Sequence, residues 1–179
     1  MSARVTHAAP VPLPALNAAD RAGFVAVCGP LFESSPWIAE RAWSLRPFAS
    51  LEALHAGLME TVRAAAPEEK LALIGAHPDL VGRLAREGRL TVESRGEQAA
   101  AGLQELSAQE VGRFERLNRE YRQKFGFPFV ICARENRKEA ILAAFPARLA
   151  HTREQEIAAA LSEIAKIARL RLADAVTEA

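Results

Sequence analysis

The sequence predicts an all-α fold, a single-domain bundle of about eight to ten helices with one short extended segment near residues 128–133. Strong helix formers (Ala, Leu, Arg and Glu) are abundant, and β-branched residues are rarely clustered. Apolar residues recur at helical spacing in several segments. The only strand-like run is Phe129–Ala133. One apolar pentapeptide cannot build a sheet, so we expect it to run extended through a helical core.

Capping residues, prolines and glycines delimit the predicted helices. Asn17 caps the first helix, Ser50 the third, and Ser107 a long helix that ends at Gly126. The predicted helices span, in order, residues 18–32, 36–44, 51–66, 68–75, 79–87, 95–106, 108–125, 138–145 and 153–174.

A length of 179 residues suits one domain with a sizeable core. Residues 1–15 contain three prolines and predict a loose N-terminal lead-in, whereas residues 16–175 form the predicted helical domain. There is no repeat, linker or low-complexity stretch.

Composition excludes several classes of function. A net charge of +1, with arginines interleaved with glutamates, argues against a nucleic-acid binder. No apolar run approaches the ~20 residues that span a bilayer, and the N-terminus lacks a signal peptide, which predicts a cytoplasmic protein without membrane contact. Cys28 and Cys132 are too few and too far apart for a disulfide framework or a zinc site, and we expect reduced, buried thiols. Four dispersed histidines give no metal signature.

Arg171 occupies an unusual position on the C-terminal helix. It projects from the middle of an apolar stripe, whereas Arg169 points away from it. The stripe consists of Ile157, Leu161, Ile164, Ala168 and Leu172. An unpaired buried guanidinium costs several kcal/mol, so Arg171 needs a partner or an anionic ligand. The alternatives are a side chain that follows the helix rim or a salt bridge inside the bundle.

His77 lies where an apolar helix ends, and Pro78 fixes the backbone beyond it. A histidine on such a rigid support can project into a cleft, and its ordinary pKa near 6.5 suits proton transfer. The alternative is a histidine that only caps the carbonyl groups of the preceding helix.

Ser94 and Glu97 have the spacing of a capping box, in which each side chain bonds to the other residue's backbone N–H. If Glu97 instead faces a cleft near His77, the two would form a general acid/base pair. Sequence spacing leaves both interpretations open.

Five sequence blocks carry a family resemblance. They are Phe32-Glu33-x-Ser35-Pro36-Trp37, Ala76-His77-Pro78-Asp79-Leu80, Ser94-x-x-Glu97-Gln98-Ala99-x-Ala101-Gly102-Leu103, Leu117-Asn118-x-x-Tyr121-x-x-Lys124 through Cys132, and Lys166-Ile167-Ala168-x-x-Arg171-Leu172. Through these blocks the chain resembles the decarboxylases of 2-oxo-4-hydroxy-4-carboxy-5-ureidoimidazoline (OHCU) in urate degradation. They follow the family order over residues 16–174. The chain departs from the family pattern at His151, where the family often has Asn. This difference concerns the geometry of the local loop or a dimer contact.

The resemblance implies an all-helical homodimer that decarboxylates OHCU to (S)-allantoin without a cofactor, and it leaves open an association with other urate-pathway enzymes. It implies His77 and Glu97 as the catalytic pair and leaves open which of them delivers the proton. The implied substrate-binding residues are Pro78, Ser94, Gln98, Arg171 and the backbone of Phe129, Val130 and Ile131.

An alternative function is a non-catalytic helical module that binds a ureido or purine-breakdown ligand. Such a module would keep Arg171 but would need neither His77 nor Glu97, so their joint presence favours catalysis. A purely structural bundle would leave Arg171 unexplained.

Overall fold

Nine α-helices make up most of the residues described by the computed structural model, which are 9–82 and 87–179. The helices are α1 Leu13–Ala18, α2 Arg21–Cys28, α3 Trp37–Ala42, α4 Leu51–Ala64, α5 Pro67–Gly75, α6 Val92–Ala100, α7 Ala108–Phe125, α8 Lys138–Leu149 and α9 Arg153–Ala175. Short 3-10 turns cover Gly29–Leu31, Trp43–Leu45 and Ala133–Glu135. The predicted all-α class is therefore confirmed.

The first predicted helix, 18–32, is wrong in its bounds. Helix α1 ends at Ala18, and α2 begins after Asp20, whose carboxylate accepts from the Gly23 N–H at 2.8 Å. Asn17 does not cap a helix. Its side-chain amide exchanges two 2.9 Å hydrogen bonds with the backbone of Phe48. Hydrogen bonds to a distant residue thus engage the side chain that the local sequence pattern predicts as a helix cap.

Other predicted ends agree more closely with the structure. The Ser50 hydroxyl accepts from the Ala53 N–H at 3.0 Å and caps α4. Ser107 caps α7, which ends at Gly126 in the left-handed region with φ 82°. Part of the predicted helix 79–87 lies outside the described residues, and Asp79–Gly82 forms a turn instead of a helical start.

Two compact units divide the chain: residues 1–65 with 168–179, and residues 66–167. The prediction of one domain over residues 16–175 stays a prediction. Helix α9 contributes to both units.

The first unit contains a short parallel sheet that the sequence did not predict. Strand β1 (Val11–Pro12) pairs with β2 (Val176–Thr177). The described part of the predicted loose lead-in therefore carries a strand and the first turn of α1. Residues 1–8 lie outside the described residues. Fully buried side chains of this unit include Leu16, Phe24, Ile38, Leu54 and Leu58.

An aromatic cluster forms the core of the second unit. The Phe129 ring stacks on Phe145 with centroids 3.9 Å apart, and Tyr121 meets Phe129 edge-on at 5.3 Å. Such pairs contribute roughly 0.5–1.5 kcal/mol beyond area burial. Phe129 belongs to the predicted extended segment, and residues 128–132 lie outside any helix or strand. The aromatic core therefore anchors one end of this segment.

Candidate functional site

His77 lies two residues beyond the end of α5 and is only 7% exposed. Its Nδ1 donates a hydrogen bond to the Leu73 carbonyl at 2.9 Å. The capping interpretation is therefore correct for one ring nitrogen. This bond places a proton on Nδ1, so in the neutral ring Nε2 carries the lone pair. The cap orients the ring and selects its tautomer, which is compatible with a catalytic use of Nε2.

The backbone turn after His77 is strained. Val81 has φ 57°, in the left-handed region that β-branched residues rarely adopt, and its side chain is buried. Such a conformation costs about 1–3 kcal/mol and persists only where the surroundings impose it. The turn closes through a 3.2 Å bond from the Gly82 N–H to the Asp79 carbonyl.

Two buried amide side chains hold a single peptide bond of this turn. Gln98 Oε1 accepts from the Val81 N–H at 3.2 Å, and Asn118 Nδ2 donates to the Leu80 carbonyl at 2.8 Å. Those two backbone groups are the polar ends of the Leu80–Val81 peptide. Helices α6 and α7 thus fix the turn that follows His77, and Asn118 Oδ1 stays buried without a hydrogen bond to any described residue.

Helix α6 begins earlier than predicted. Thr91 is its N-cap, and the Thr91 hydroxyl accepts from the Ser94 N–H at 3.2 Å. The capping-box interpretation of Ser94 and Glu97 is therefore wrong, since both lie inside the helix. Ser94 and Gln98 are buried and Glu97 is half-buried. A spacing of three and four residues places all three on one face of α6.

The extended segment is held on both sides of Ile131. Arg148 Nη1 donates to the Val130 carbonyl at 3.1 Å, and the Cys132 N–H donates to Glu163 Oε2 at 2.8 Å. Ile131 is half-buried between buried neighbours. Among the described residues, no hydrogen bond engages its N–H or C=O. One residue thus offers a donor and an acceptor, the pair that an amide or ureido group can match.

Arg171, in the first unit, is 6% exposed. Its Nη2 pairs with Glu33 Oε1 at 2.9 Å, and its Nη1 donates to the Pro30 carbonyl at 3.2 Å. Of the open alternatives, the internal salt bridge is present, and the rim position is wrong. The predicted burial on the stripe is correct, since Arg169 is exposed and Ala168 and Leu172 are buried.

Sequence reasoning assigned no role to Glu33 or Asn118, although both stand in the motif blocks. Each is a polar residue inside an apolar block and is about 95% buried. That contrast was a usable signal, since buried polar groups need partners.

Comparison with known proteins identifies relatives over most of the chain. A sequence profile described as OHCU decarboxylase matches residues 17–173. The 2-oxo-4-hydroxy-4-carboxy-5-ureidoimidazoline decarboxylase of Amia calva is 44% identical over 153 residues, covering 86% of this chain and 87% of that protein. The uric acid degradation bifunctional protein of Bacillus subtilis is 44% identical over 163 residues, which cover 91% of this chain and 32% of that protein.

A solved structure shares the fold. The crystal structure of an (S)-allantoin synthase matches with a TM-score of 0.74 and 29% identity, covering 94% of this chain and 54% of that chain. The match confirms the helical architecture.

Proposed function

Since this chain belongs to the OHCU decarboxylase family, we propose that it decarboxylates OHCU to (S)-allantoin in urate degradation. The observation that carries this function is the family match over residues 17–173, which includes every residue of the candidate site. On the family resemblance, the proposal includes no cofactor.

The chemistry demands stabilisation of charge and a proton delivered to one face. OHCU carries an ionised carboxylate on a ring carbon that also bears a hydroxyl group. Loss of CO2 leaves an electron pair on that carbon, which the adjacent unsaturated ring must absorb. That electron pair forms a double bond to the neighbouring ring carbon, which carries the ureido group, and the ring C=N nitrogen takes up the displaced pair and a proton. A second proton then arrives on the ureido-bearing carbon and sets its configuration, while the hydroxyl group loses its proton and the carbon that bore it becomes a carbonyl. Preorganised donors are the means by which enzymes stabilise such developing charge.

His77 and Glu97 are the proposed catalytic pair. Because Nδ1 bonds to the Leu73 carbonyl, the proposal assigns the substrate contact to Nε2. A charged imidazole would donate from Nε2 to the developing anion, and either His77 or Glu97 delivers the final proton. Burial of His77 strengthens these interactions because water screens them less.

The remaining proposed contacts bind the substrate. Ser94 and Gln98 share a face of α6, and the Oε1 of Gln98 is engaged by Val81, so its amide NH2 group is the part assigned to the substrate. The backbone of Phe129, Val130 and Ile131 is assigned to the ureido portion. The Ile131 N–H and C=O support this assignment, because neither forms a hydrogen bond to another described residue.

Two further contacts complete the proposed substrate-binding set. Pro78 is assigned to packing against the substrate. Arg171 is assigned to an anionic or carbonyl group, since a guanidinium held by Glu33 and Pro30 keeps the fixed fork that suits such recognition.

The proposal is tested with OHCU generated from urate by urate oxidase and 5-hydroxyisourate hydrolase. The wild-type protein should accelerate the appearance of optically active allantoin. His77→Asn retains a donor close to the Nδ1 position and so keeps the Leu73 bond, but it removes Nε2. We expect a rate loss of at least about 100-fold, the lower end of general acid–base contributions.

Two variants serve as references. Glu97→Gln keeps the shape of that side chain without its charge and reports the role of the carboxylate. His55→Asn replaces a half-buried histidine outside the site and should retain activity. Absence of acceleration by the wild-type protein, or a near-normal rate for His77→Asn in a folded protein, would remove the catalytic assignment. Binding without turnover would identify the alternative ligand-binding module.

The proposal extends to assembly and location. We propose a homodimer, from the family resemblance, to be checked by sedimentation. Association with other urate-pathway enzymes is supported by the bifunctional relative, in which this chain matches one part of a longer protein. A cytoplasmic location is supported by two free, buried cysteines, since disulfides are rare in that compartment. No helix in the ranges 9–82 and 87–179 has the length and hydropathy to cross a bilayer.

A further inference from the structure

A buried ionic cluster adjoins the extended segment in the second unit. Its centre is Glu156, in the first turn of α9, with a fully buried side chain. Arg148 Nε lies 2.7 Å from both Glu156 oxygens, and His151 Nδ1 lies 2.7 Å from Oε1. The Tyr121 hydroxyl donates to Oε2. Glu156 thus accepts from three side chains that belong to α7, α8 and the loop after α8.

The cluster is built to keep Glu156 charged. Burial raises the pKa of a carboxyl, but the hydrogen bonds from Arg148 and Tyr121 outweigh it, and the pKa of Glu156 is lowered. Burial and the bond to Glu156 raise the pKa of Tyr121. Burying these charged groups costs desolvation energy, which can exceed what their attraction contributes to stability. We therefore expect the cluster to have a role other than stabilising the fold.

Arg148 links this cluster to the extended segment by two separate contacts. Its Nη1 donates to the Val130 carbonyl at 3.1 Å, and its guanidinium lies 4.7 Å from the centroid of the Phe129 ring. The Nε group, shared between both Glu156 oxygens, fixes one edge of the planar guanidinium and so restricts the position of Nη1. A flexible or unpaired arginine could not hold the carbonyl in one place.

These contacts determine the orientation of the Ile131 backbone. Because Arg148 takes the Val130 carbonyl and Glu163 takes the Cys132 N–H, the two peptides that flank Ile131 are each fixed by one bond. The Ile131 N–H and C=O then have a defined direction. A mobile segment would lose entropy on ordering around the substrate, and this cost would weaken binding.

We propose that Arg148, locked by Glu156, is a positioning residue that holds the Phe129–Ile131 backbone in its substrate-binding conformation. The inference rests on the proposed function, since it assumes that this backbone binds the ureido part of OHCU. In this role Arg148 is not a direct substrate contact. It acts through Val130 and Phe129, so its loss should appear mainly in substrate affinity.

The primary test is Arg148→Lys. Lysine retains the positive charge and can pair with Glu156, but one ammonium group cannot also hold the Val130 carbonyl in the guanidinium geometry. We expect KM for OHCU to rise about tenfold, with kcat changed less than about threefold. Affinity for (S)-allantoin, measured by calorimetry, should fall by a similar factor. An unchanged KM and unchanged allantoin affinity in this variant would overturn the proposal.

A double variant separates positioning from folding. Arg148→Met alone leaves Glu156 as a buried charge without its main partner and should unfold easily. Adding Glu156→Gln removes that charge. The amide oxygen can accept from His151 and the amide NH2 can donate to the Tyr121 hydroxyl, which can act as an acceptor, so stability should recover. KM should stay high because the Val130 contact is still missing. Recovery of KM together with stability would reduce Arg148 to a structural role and refute the inference.

A matched control and the wild-type protein keep the two proposals distinguishable. Lys138→Met breaks the partly exposed ion pair with Glu110, 2.7 Å long and in the same unit, and should leave KM unchanged. Failure of wild-type protein to turn over OHCU would contradict the proposed function. Turnover by the wild type with normal KM in Arg148→Lys would contradict only the positioning role.

Discussion

Arg171 and Glu33, 138 residues apart in sequence, form a buried ion pair with a 2.9 Å separation between Nη2 and Oε1. Both side chains are at most 6% exposed. Loss of one partner leaves the other as a buried charge, which generally costs several kcal/mol. The pair thus gives Arg171 a fixed orientation and makes Glu33 essential to the first unit.

We therefore predict that Glu33→Ala lowers the free energy of unfolding by about 3–5 kcal/mol, measured by urea denaturation. Glu60→Ala is the matched control. Its pair with Arg63 is 2.6 Å long but more than 60% exposed on both sides, and exposed pairs contribute about 0–1 kcal/mol. Equal effects of the two substitutions would contradict the importance of the buried pair.

A second prediction concerns Asn118 and the strained turn. Asn118→Ala removes the donor to the Leu80 carbonyl and should lower kcat/KM, because the turn after His77 loses one of its two clamps. Val81→Gly relieves the left-handed strain at φ 57°, so the turn no longer depends as strongly on the clamp.

The double variant Asn118→Ala/Val81→Gly should therefore lose less activity than the sum of the two single effects. We expect a coupling of about 1 kcal/mol in transition-state free energy, as is usual for residues in one network. Strict additivity of the two substitutions would show that Asn118 does not act on the conformation of Val81.

A third prediction distinguishes Thr91 from Ser94. Thr91→Ala removes the N-cap of α6 and should cost about 1 kcal/mol of stability in chemical denaturation. Ser94→Ala leaves that cap in place and should raise KM for OHCU through loss of a substrate contact. If Ser94→Ala were the destabilising variant and Thr91→Ala were neutral, the cap would belong to Ser94.

A fourth prediction concerns acid stability. Glu110 accepts from the Ser107 N–H at 2.8 Å and pairs with Lys138 at 2.7 Å. The hydrogen bond from Lys138, followed by that from the Ser107 backbone, lowers the pKa of Glu110 from 4.5 to about 2. Since the folded-state pKa is the lower one, its stabilisation is complete above pH 4.5 and is lost as the pH falls towards 2.

Glu110→Gln should remove this contribution. The difference in unfolding free energy between wild type and variant should be constant near neutral pH and shrink between pH 4.5 and about 2. Denaturation curves at several pH values measure it. A difference that grows on acidification would have the wrong sign for a lowered pKa.

Local signals predicted the helices well where no distant group competes for the capping side chain. Ser50, Ser107 and Gly126 bond to backbone within their own turns, so their roles follow from adjacent residues. Asn17 and Ser94 have equally good local signals, yet Asn17 binds Phe48 across 31 residues and Thr91 provides the cap that Ser94 was expected to form. Capping contributes only about 1 kcal/mol, and one tertiary contact can override it.

The sequence by itself determined the helical class, the burial of Arg171 on its stripe, the support of His77 at a helix end and the family. These depend on spacing along one helix or on motif order. The tertiary structure decided the partners: Glu33 for Arg171, Gln98 and Asn118 for one peptide bond, and Arg148 for Val130. The physical reason is that a buried polar group must be satisfied, but the folded chain alone determines which distant group lies within about 3 Å of it.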